Sequence, residues 1–271
     1  MRVWLPPSES KTPPESGPFL DLGALVHPGL AELRLALVEA LAKLGSGADA
    51  RAILGLGPTN AREAEANARI LEAPCAPARE LYTGVLFDAL DLPSLTGDEA
   101  ERANASTRIF SGLFGVVSPA DRIPDHRLAI GARLPGIGPL AAYWRDALDA
   151  ALRAESEGEC VVDARSGGYA AACRATWADL VSIGAVRVAN GKRSVISHDA
   201  KRWRGLACRG LYSLPEGAGR ADVLESLASL AGGASIEDAK GTAHAVVDVE
   251  IDEGATNRHG GSRAEAILVT D

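Results

Sequence analysis

Aromatic side chains make up only 4% of this 271-residue chain, methionine occurs once, and Lys plus Arg (28) fall short of Asp plus Glu (36), for a formal net charge of -8. The aromatic shortage leaves the core to Ala, Leu and Val, so helices packed through small side chains are expected rather than an aromatic-rich barrel. The charge deficit excludes a protein that coats nucleic acid by bulk attraction. It does not exclude a focused cationic cleft, because steering depends on where charges lie rather than on their sum. No window offers 18 uninterrupted apolar residues, and the first eleven residues hold no run of signal-peptide length, so a soluble cytoplasmic protein with no membrane partner is expected. Cys75, Cys160, Cys173 and Cys208 show no CxxC spacing, and His27, His126, His198, His244 and His259 form no HExxH or close pair. The expectation is buried thiols in a reducing compartment, no metal site and no cofactor.

Against this background one segment is strongly cationic. Residues 187–209 carry seven Lys/Arg against the single Asp199, and residues 213–257 then carry nine acidic and two basic residues, a polarity that makes a one-sided surface. Lys192 and Arg193 follow Asn190-Gly191, a hairpin-turn signal, while Lys201, Arg202 and Arg204 straddle Trp203, with Arg209 beyond. Two readings stand side by side: a solvated face, or a surface facing an anion such as nucleic acid, with guanidiniums on phosphates and Trp203 stacked on a base. Cys208 lies among these cations and is the candidate reactive thiol if exposed. His198-Asp199 offers acid–base chemistry beside them.

Smaller signals flank the segment. A strand over residues 2–5 stops at Pro6-Pro7 and delivers a loop with Ser8, Ser10, Lys11 and Thr12, suited to gripping a phosphate although no GxxxxGK[ST] is present. Ser8 and Lys11 also have SxxK spacing, without the companion motifs of the acyl-transfer enzymes that use it. Arg165-Ser-Gly-Gly-Tyr169 follows a strand and is either an anion cradle or a tight turn.

Apolar spacing predicts helices over residues 29–44 (closed by Gly45), 60–71, 78–90 with Gly84 inside, 97–105 with a Thr96/Glu99 capping box, 140–152, 170–178 and 221–230. Strands are predicted over 159–164, 179–189, 195–197, 243–251 and 264–270, and a strand–turn element with two glycines over 107–117. Residues 121–138 read as an irregular but ordered stretch. No repeat and no Gly/Ser linker divides residues 1–271, so a single domain is expected.

Three of these segments carry a resemblance: Pro7-Ser-Glu-Ser-Lys-Thr12; the run from Arg108 through Ser111-Gly112 to Asp121, with Ile123 and Arg127-Leu128; and residues 191–197 with Ala200-Lys201 and Arg204-Gly205. Together they resemble the YaaA peroxide-stress family nearly end to end. The resemblance implies an α+β protein, a compact mixed α/β body with a cationic cleft and a helix-hairpin-helix-like element. It implies binding of double-stranded DNA, limitation of oxidative damage and an indirect effect on intracellular iron, with no settled catalytic activity. It would place Ser8, Lys11, Thr12, Arg108, Ser111, Gly112, Asp121, Arg127, Lys201 and Arg204 at or near the cleft. Here Glu9 adds an acidic residue to the opening loop, Ser118 stands where the family has Arg, and residues 163–169 replace a Ser/Asn-rich segment.

Two functions follow. In the first, Lys192, Arg193, Lys201, Arg202, Arg204 and Arg209 hold the DNA backbone without reading sequence, and about five phosphate contacts would give a logarithmic salt slope of about -4 to -5. In the alternative, an enzyme takes a small anionic substrate, a nucleotide or carboxylate, in a pocket of the opening loop, Ser111-Gly112 and Asp121. Lys11, Arg127 and Lys201 would clamp the anion there, Arg165 lies near, and Lys11 and Asp121 are the candidate catalytic residues. An open groove favours the first function and a closed concavity the second.

Overall fold

The computed structural model describes residues 1–196, 199–237 and 241–271. Strand β1 (Arg2–Leu5) is followed by helices α1 (Ala31–Leu44), α2 (Ala48–Leu54) and α3 (Ala61–Ala68), strand β2 (Cys75–Pro77), and helices α4 (Ala78–Leu81), α5 (Val85–Leu90) and α6 (Gly97–Ser106). Next come β3 (Thr107–Ser111), β4 (Gly115–Val117), β5 (Arg122–Pro124), β6 (Arg133–Leu134), β7 (Gly138–Pro139), α7 (Leu140–Ser156), β8 (Cys160–Asp163) and α8 (Gly167–Ala172). The last third holds β9 (Asp179–Ala189), β10 (Lys192–Val195), α9 (Asp199–Leu211), α10 (Arg220–Ala228), β11 (Ser235–Glu237), β12 (Ala243–Glu253) and β13 (Ser262–Thr270).

The main sheet runs β11-β12-β13-β9-β8-β1-β3-β4. Its centre, β13, β9, β8, β1 and β3, is parallel, and antiparallel strands flank it on both sides. Val3, Trp4 and Leu5 are all fully buried, and because consecutive strand residues point to opposite faces, the sheet centre must be covered on both sides. β9 outruns β8: its first four residues pair with β8, its end pairs with β10, and β13 lies along its other side. Asn190 and Gly191 both take positive φ (52° and 71°) in the β9–β10 turn, which is what the Asn-Gly signal predicts.

Four expectations change. The helix expected over 170–178 runs Gly167–Ala172, and the strand expected over 195–197 runs Lys192–Val195, with residue 197 outside the described residues. The helix over 78–90 is broken: Gly84 has φ 96° and opens α5 instead of lying inside one helix. Its positive φ is a conformation that apolar spacing does not register. Thr96 does precede α6, but its side chain makes no capping bond.

α5 is held against α9 by Gly205. A Cβ at that position would strike the carbonyl of Leu86 and sit 3.0 Å from the Ala89 Cβ. A helix-interior glycine normally costs stability; here it admits backbone-on-backbone packing. Gly205→Ala is therefore expected to destabilise, since a carbonyl cannot rotate out of the way as a side chain can. Overpacking of about 1–3 kcal/mol corresponds to a Tm lower by about 2–10 °C, read by calorimetry; an unchanged or higher Tm would mean that α5 and α9 yield freely.

Candidate functional site

The chain leaves β1 toward β3 on one side and leaves β8 toward β9 on the other, so the connections diverge between β1 and β8. In open parallel sheets such a divergence leaves a crevice outside the carboxyl ends of the strands. A cleft of about 410 Å³ lies there. Residues 6–11 enter it from β1, Ser111 and Gly112 from β3, and Ser166 and Tyr169 from beyond β8. Residues 84–87 and Lys201 and Arg204 of α9 form the far wall, and residues 126–130 close the side.

Each wall has a local cause. The opening loop is tied to the α4–α5 turn by Thr12 N to Leu81 O (2.9 Å) and Thr83 N to Ser10 O (3.1 Å). The segment 126–130 lies against β3 because Gly112 has no side chain: a Cβ there would strike the Leu128 carbonyl. Gly112 O accepts from the buried Trp144 indole at 2.9 Å, and Asn67 of α3 holds Arg127 through both backbone groups (Nδ2 to O 2.6 Å, N to Oδ1 2.8 Å).

Within the cleft, Lys11 is half-buried, with Nζ 3.4 Å from Glu9 O and 5.7 Å from the centre of the Tyr82 ring, and no ion pair to a carboxylate among the described residues. Burial lowers its pKa and Arg127 adds to the effect, while Asp125, Glu63 and Glu9 oppose it. Arg127 reaches Glu9 at 2.8 Å across the mouth and Glu63 at 3.4 Å. Arg204 spends Nε on Ile183 O (2.9 Å), and Lys201 is exposed at the rim.

The imidazole of His126 is buried and lies 2.9 Å from Pro124 O through Nδ1, which must therefore donate; Nε2 is the acceptor and faces Ser111 Oγ at 3.5 Å. Ser111 Oγ accepts from the amides of Leu113 and Phe114, both at 3.2 Å. With two amides and His126 around it, this oxygen is a positioning group rather than a free nucleophile. Burial pushes the His126 pKa down to about 3, with Lys11 adding and the Pro124 bond opposing.

Of the residues singled out from sequence, Ser8, Ser10, Lys11, Ser111, Gly112, Arg127, Lys201 and Arg204 meet in this cleft, with Ser166 and Tyr169 of the 165–169 turn. The others lie elsewhere. Asp121, read as a candidate base, has its carboxylate occupied by Val26 N, Ser118 N and Ser118 Oγ at 2.9–3.0 Å and does not line the cleft. Arg108 is ion-paired with Glu155 and bonds Thr107 O and Ala105 O. Arg165 is enclosed by Asp163, Cys173 O and the rings of Trp4 and Phe110, so it is no anion cradle.

Thr12 is exposed and outside the cleft lining. Arg193 pairs with Glu250 (2.8 Å), Arg202 bonds Glu237 O, and Arg209 bonds Leu90 O, Asp91 O and Ser94 Oγ. Lys192 is exposed on the hairpin. Trp203 is fully buried and cannot stack on a base. Cys208 is fully buried with its pKa pushed up to about 12 by burial, so it is not the reactive thiol; the other three cysteines are buried too. His198 lies outside the described residues. No group of three His, Cys, Asp or Glu suited to a metal occurs among the described residues, and no described helix is long and apolar enough to cross a membrane.

His126 gives the site a pH signature. A histidine whose folded pKa lies below its ordinary 6.5 leaves stability intact above 6.5 and loses it as pH falls toward the folded value near 3. Between those limits its share of the loss is about 1.4 kcal/mol per pH unit. Urea titrations from pH 7 to 4 are expected to show this slope in the wild type and a shallower one in His126→Gln. Equal slopes would mean that His126 is protonated in the folded protein.

Residues 1–218 match the family model described as peroxide stress protein YaaA. Among similar proteins, a UPF0246 protein of Streptomyces coelicolor is 40% identical over 236 residues, covering 85% of this chain and 90% of its own. UPF0246 proteins of Corynebacterium efficiens and Corynebacterium glutamicum are 36% and 35% identical, each over 86% of this chain and 93% of their own. The chain belongs to the peroxide stress protein YaaA family.

Proposed function

We propose that the protein acts by capturing a small anionic molecule, bearing phosphate or carboxylate, in the cleft at the carboxyl ends of β1, β3 and β8. The observation that carries this reading is the convergence of Lys11, Arg127, Lys201 and Arg204 with Ser8 and Ser111 on one concavity of about 410 Å³. That volume lies in the range of small-ligand sites, and the polar groups stand on an apolar wall of Pro6, Pro7, Leu86, Phe87, Leu128 and Ile130. Lys11 and Arg127 would hold the anion. His126, a neutral acceptor, fixes Ser111 beneath it. Asp121 has no part.

A second reading, double-stranded DNA on the face of α9 and the β9–β10 hairpin, draws on the exposure of Lys192 and Lys201. Arg193, Arg202 and Arg209 are already engaged within the chain. Two free lysines would give a salt slope of about -2 rather than -4 to -5.

The test is calorimetric titration of the purified protein with small phosphates and carboxylates and, in parallel, with a duplex across a salt series, using Lys11→Ala/Arg127→Ala and Lys192→Ala/Lys201→Ala variants. A Lys192→Ala single variant is included because Lys201 also lines the cleft; small-anion binding lost in Lys11→Ala/Arg127→Ala and kept in Lys192→Ala is expected. Duplex binding with a slope of -4 or steeper, unaffected by Lys11→Ala/Arg127→Ala, would overturn the small-ligand reading.

A further inference from the structure

One contact in the cleft joins groups that a ligand would separate. Glu9 stands on the opening loop with its side chain 77% exposed, yet its carboxylate reaches 2.8 Å to Arg127, whose side chain is 15% exposed. The pair closes part of the mouth between the opening loop and the segment 126–130. Glu63 of α3 holds Arg127 separately at 3.4 Å, so Arg127 stays in position whether or not Glu9 is there. An ion pair with one partner this exposed contributes about 0–1 kcal/mol. Its displacement therefore costs little.

Resting on the small-anion reading of this cleft, we infer that its ligand is a phosphate monoester and that Glu9 occupies the place of the phosphate until it arrives. With Glu9 on Arg127 and with Glu63 and Asp125 counted, Lys11, Arg127, Lys201 and Arg204 leave the cleft an excess of one positive charge, and with Glu9 swung out, two, the charge of a phosphate monoester. A free monocarboxylate would only repeat what Glu9 already does. It would compete with a carboxylate tethered at millimolar effective concentration, a contest that a single charge wins poorly. A phosphate monoester brings up to two charges and three acceptor oxygens. It can engage the Arg127 fork, the Lys11 amine and the Ser8 hydroxyl together, which one tethered carboxylate cannot.

The rest of the cleft fits an ester rather than inorganic phosphate. Besides the cations, the lining holds the apolar Pro6, Pro7, Leu86, Phe87, Leu128 and Ile130. A flat or apolar body attached to the phosphate covers this wall, and a nucleoside is one such body. The loop that presents Ser8 and Lys11 is already fixed by its two backbone bonds to Leu81 and Thr83, so binding moves the Glu9 side chain and little else.

The experiment is isothermal titration calorimetry of the full chain with adenosine 5′-monophosphate, cyclic AMP, adenosine, inorganic phosphate and citrate, on the wild type, Glu9→Gln and Arg127→Ala. AMP is expected to bind, cyclic AMP with its single charge to bind at least about ten-fold more weakly, and adenosine not at all; inorganic phosphate is expected to be weaker than AMP. Glu9→Gln, on an exposed side chain that the fold does not need, is expected to tighten AMP about two- to five-fold, whereas Arg127→Ala abolishes it. Equal affinity for AMP and cyclic AMP, or no gain in Glu9→Gln, would overturn the inference. Citrate binding that depends on Arg127 without AMP binding would overturn it while leaving the cleft reading in place; no binding of any anion would remove both.

Discussion

The carbonyl of Leu128 occupies the space where a side chain at position 112 would begin. This backbone contact brings the segment 126–130 down onto the end of β3. Without it Arg127 would not face Lys11, nor His126 face Ser111. Trp144 fixes the other side of the same residue through the Gly112 carbonyl, and Asn67 holds Arg127 by both backbone groups. A second contact of this kind, Gly205 on Leu86, places Lys201 and Arg204 of α9 opposite. The cleft is thus set by two places where the absence of a Cβ lets backbones touch, and its chemistry depends on rigid distances rather than on flexible side chains closing in.

Although the protein carries a net charge of -8, several of its arginines are spent inside it. Arg34 is fully buried and donates to the carbonyls of Leu22, Val26, His27, Phe114 and Val116, tying the first loop to the β3–β4 hairpin; burial lowers its pKa to about 10. Arg165 sits between Trp4 and Phe110 on Asp163, and Arg108 on Glu155. Guanidiniums suit this task because a planar fork with several donors satisfies scattered carbonyls that would otherwise be buried unpaired. The density of positive charge over residues 187–209 is therefore partly structural. Three arginines of the cationic segment, Arg193, Arg202 and Arg209, are engaged within the chain, whereas four cations drawn from three distant parts of the chain line one pocket.

Much of the fold was legible in the sequence. The strand at 2–5, the helix at 29–44, the strand–turn element at 107–117 and the strand at 179–189 lie close to where spacing and turn signals put them. The break at Gly84 was not, since positive φ is a backbone property that apolar periodicity does not report. In the site, Lys11, Ser111, Arg127, Lys201 and Arg204 were legible from motif resemblance and charge. His126 was visible as a residue of an irregular loop but not as the partner of Ser111, because nothing local sets which strand end a loop fifteen residues later will touch. Asn67 carried no signal at all, being one polar residue in an Ala-rich helix. Asp121 and Arg165 misled for a shared reason: a charged residue beside a turn reads the same whether it faces a ligand or ties down its own loop.

The central claim is that the protein's anion site is the cleft between β1 and β8 and not the surface of the cationic segment. The most direct measurement is a crystal structure of the protein soaked in tungstate, a heavy phosphate mimic located by its anomalous signal. The account predicts a peak between Lys11 and Arg127 with Glu9 displaced from Arg127. A peak confined to Lys192 and the β9–β10 hairpin, with the Glu9–Arg127 pair intact, would contradict it.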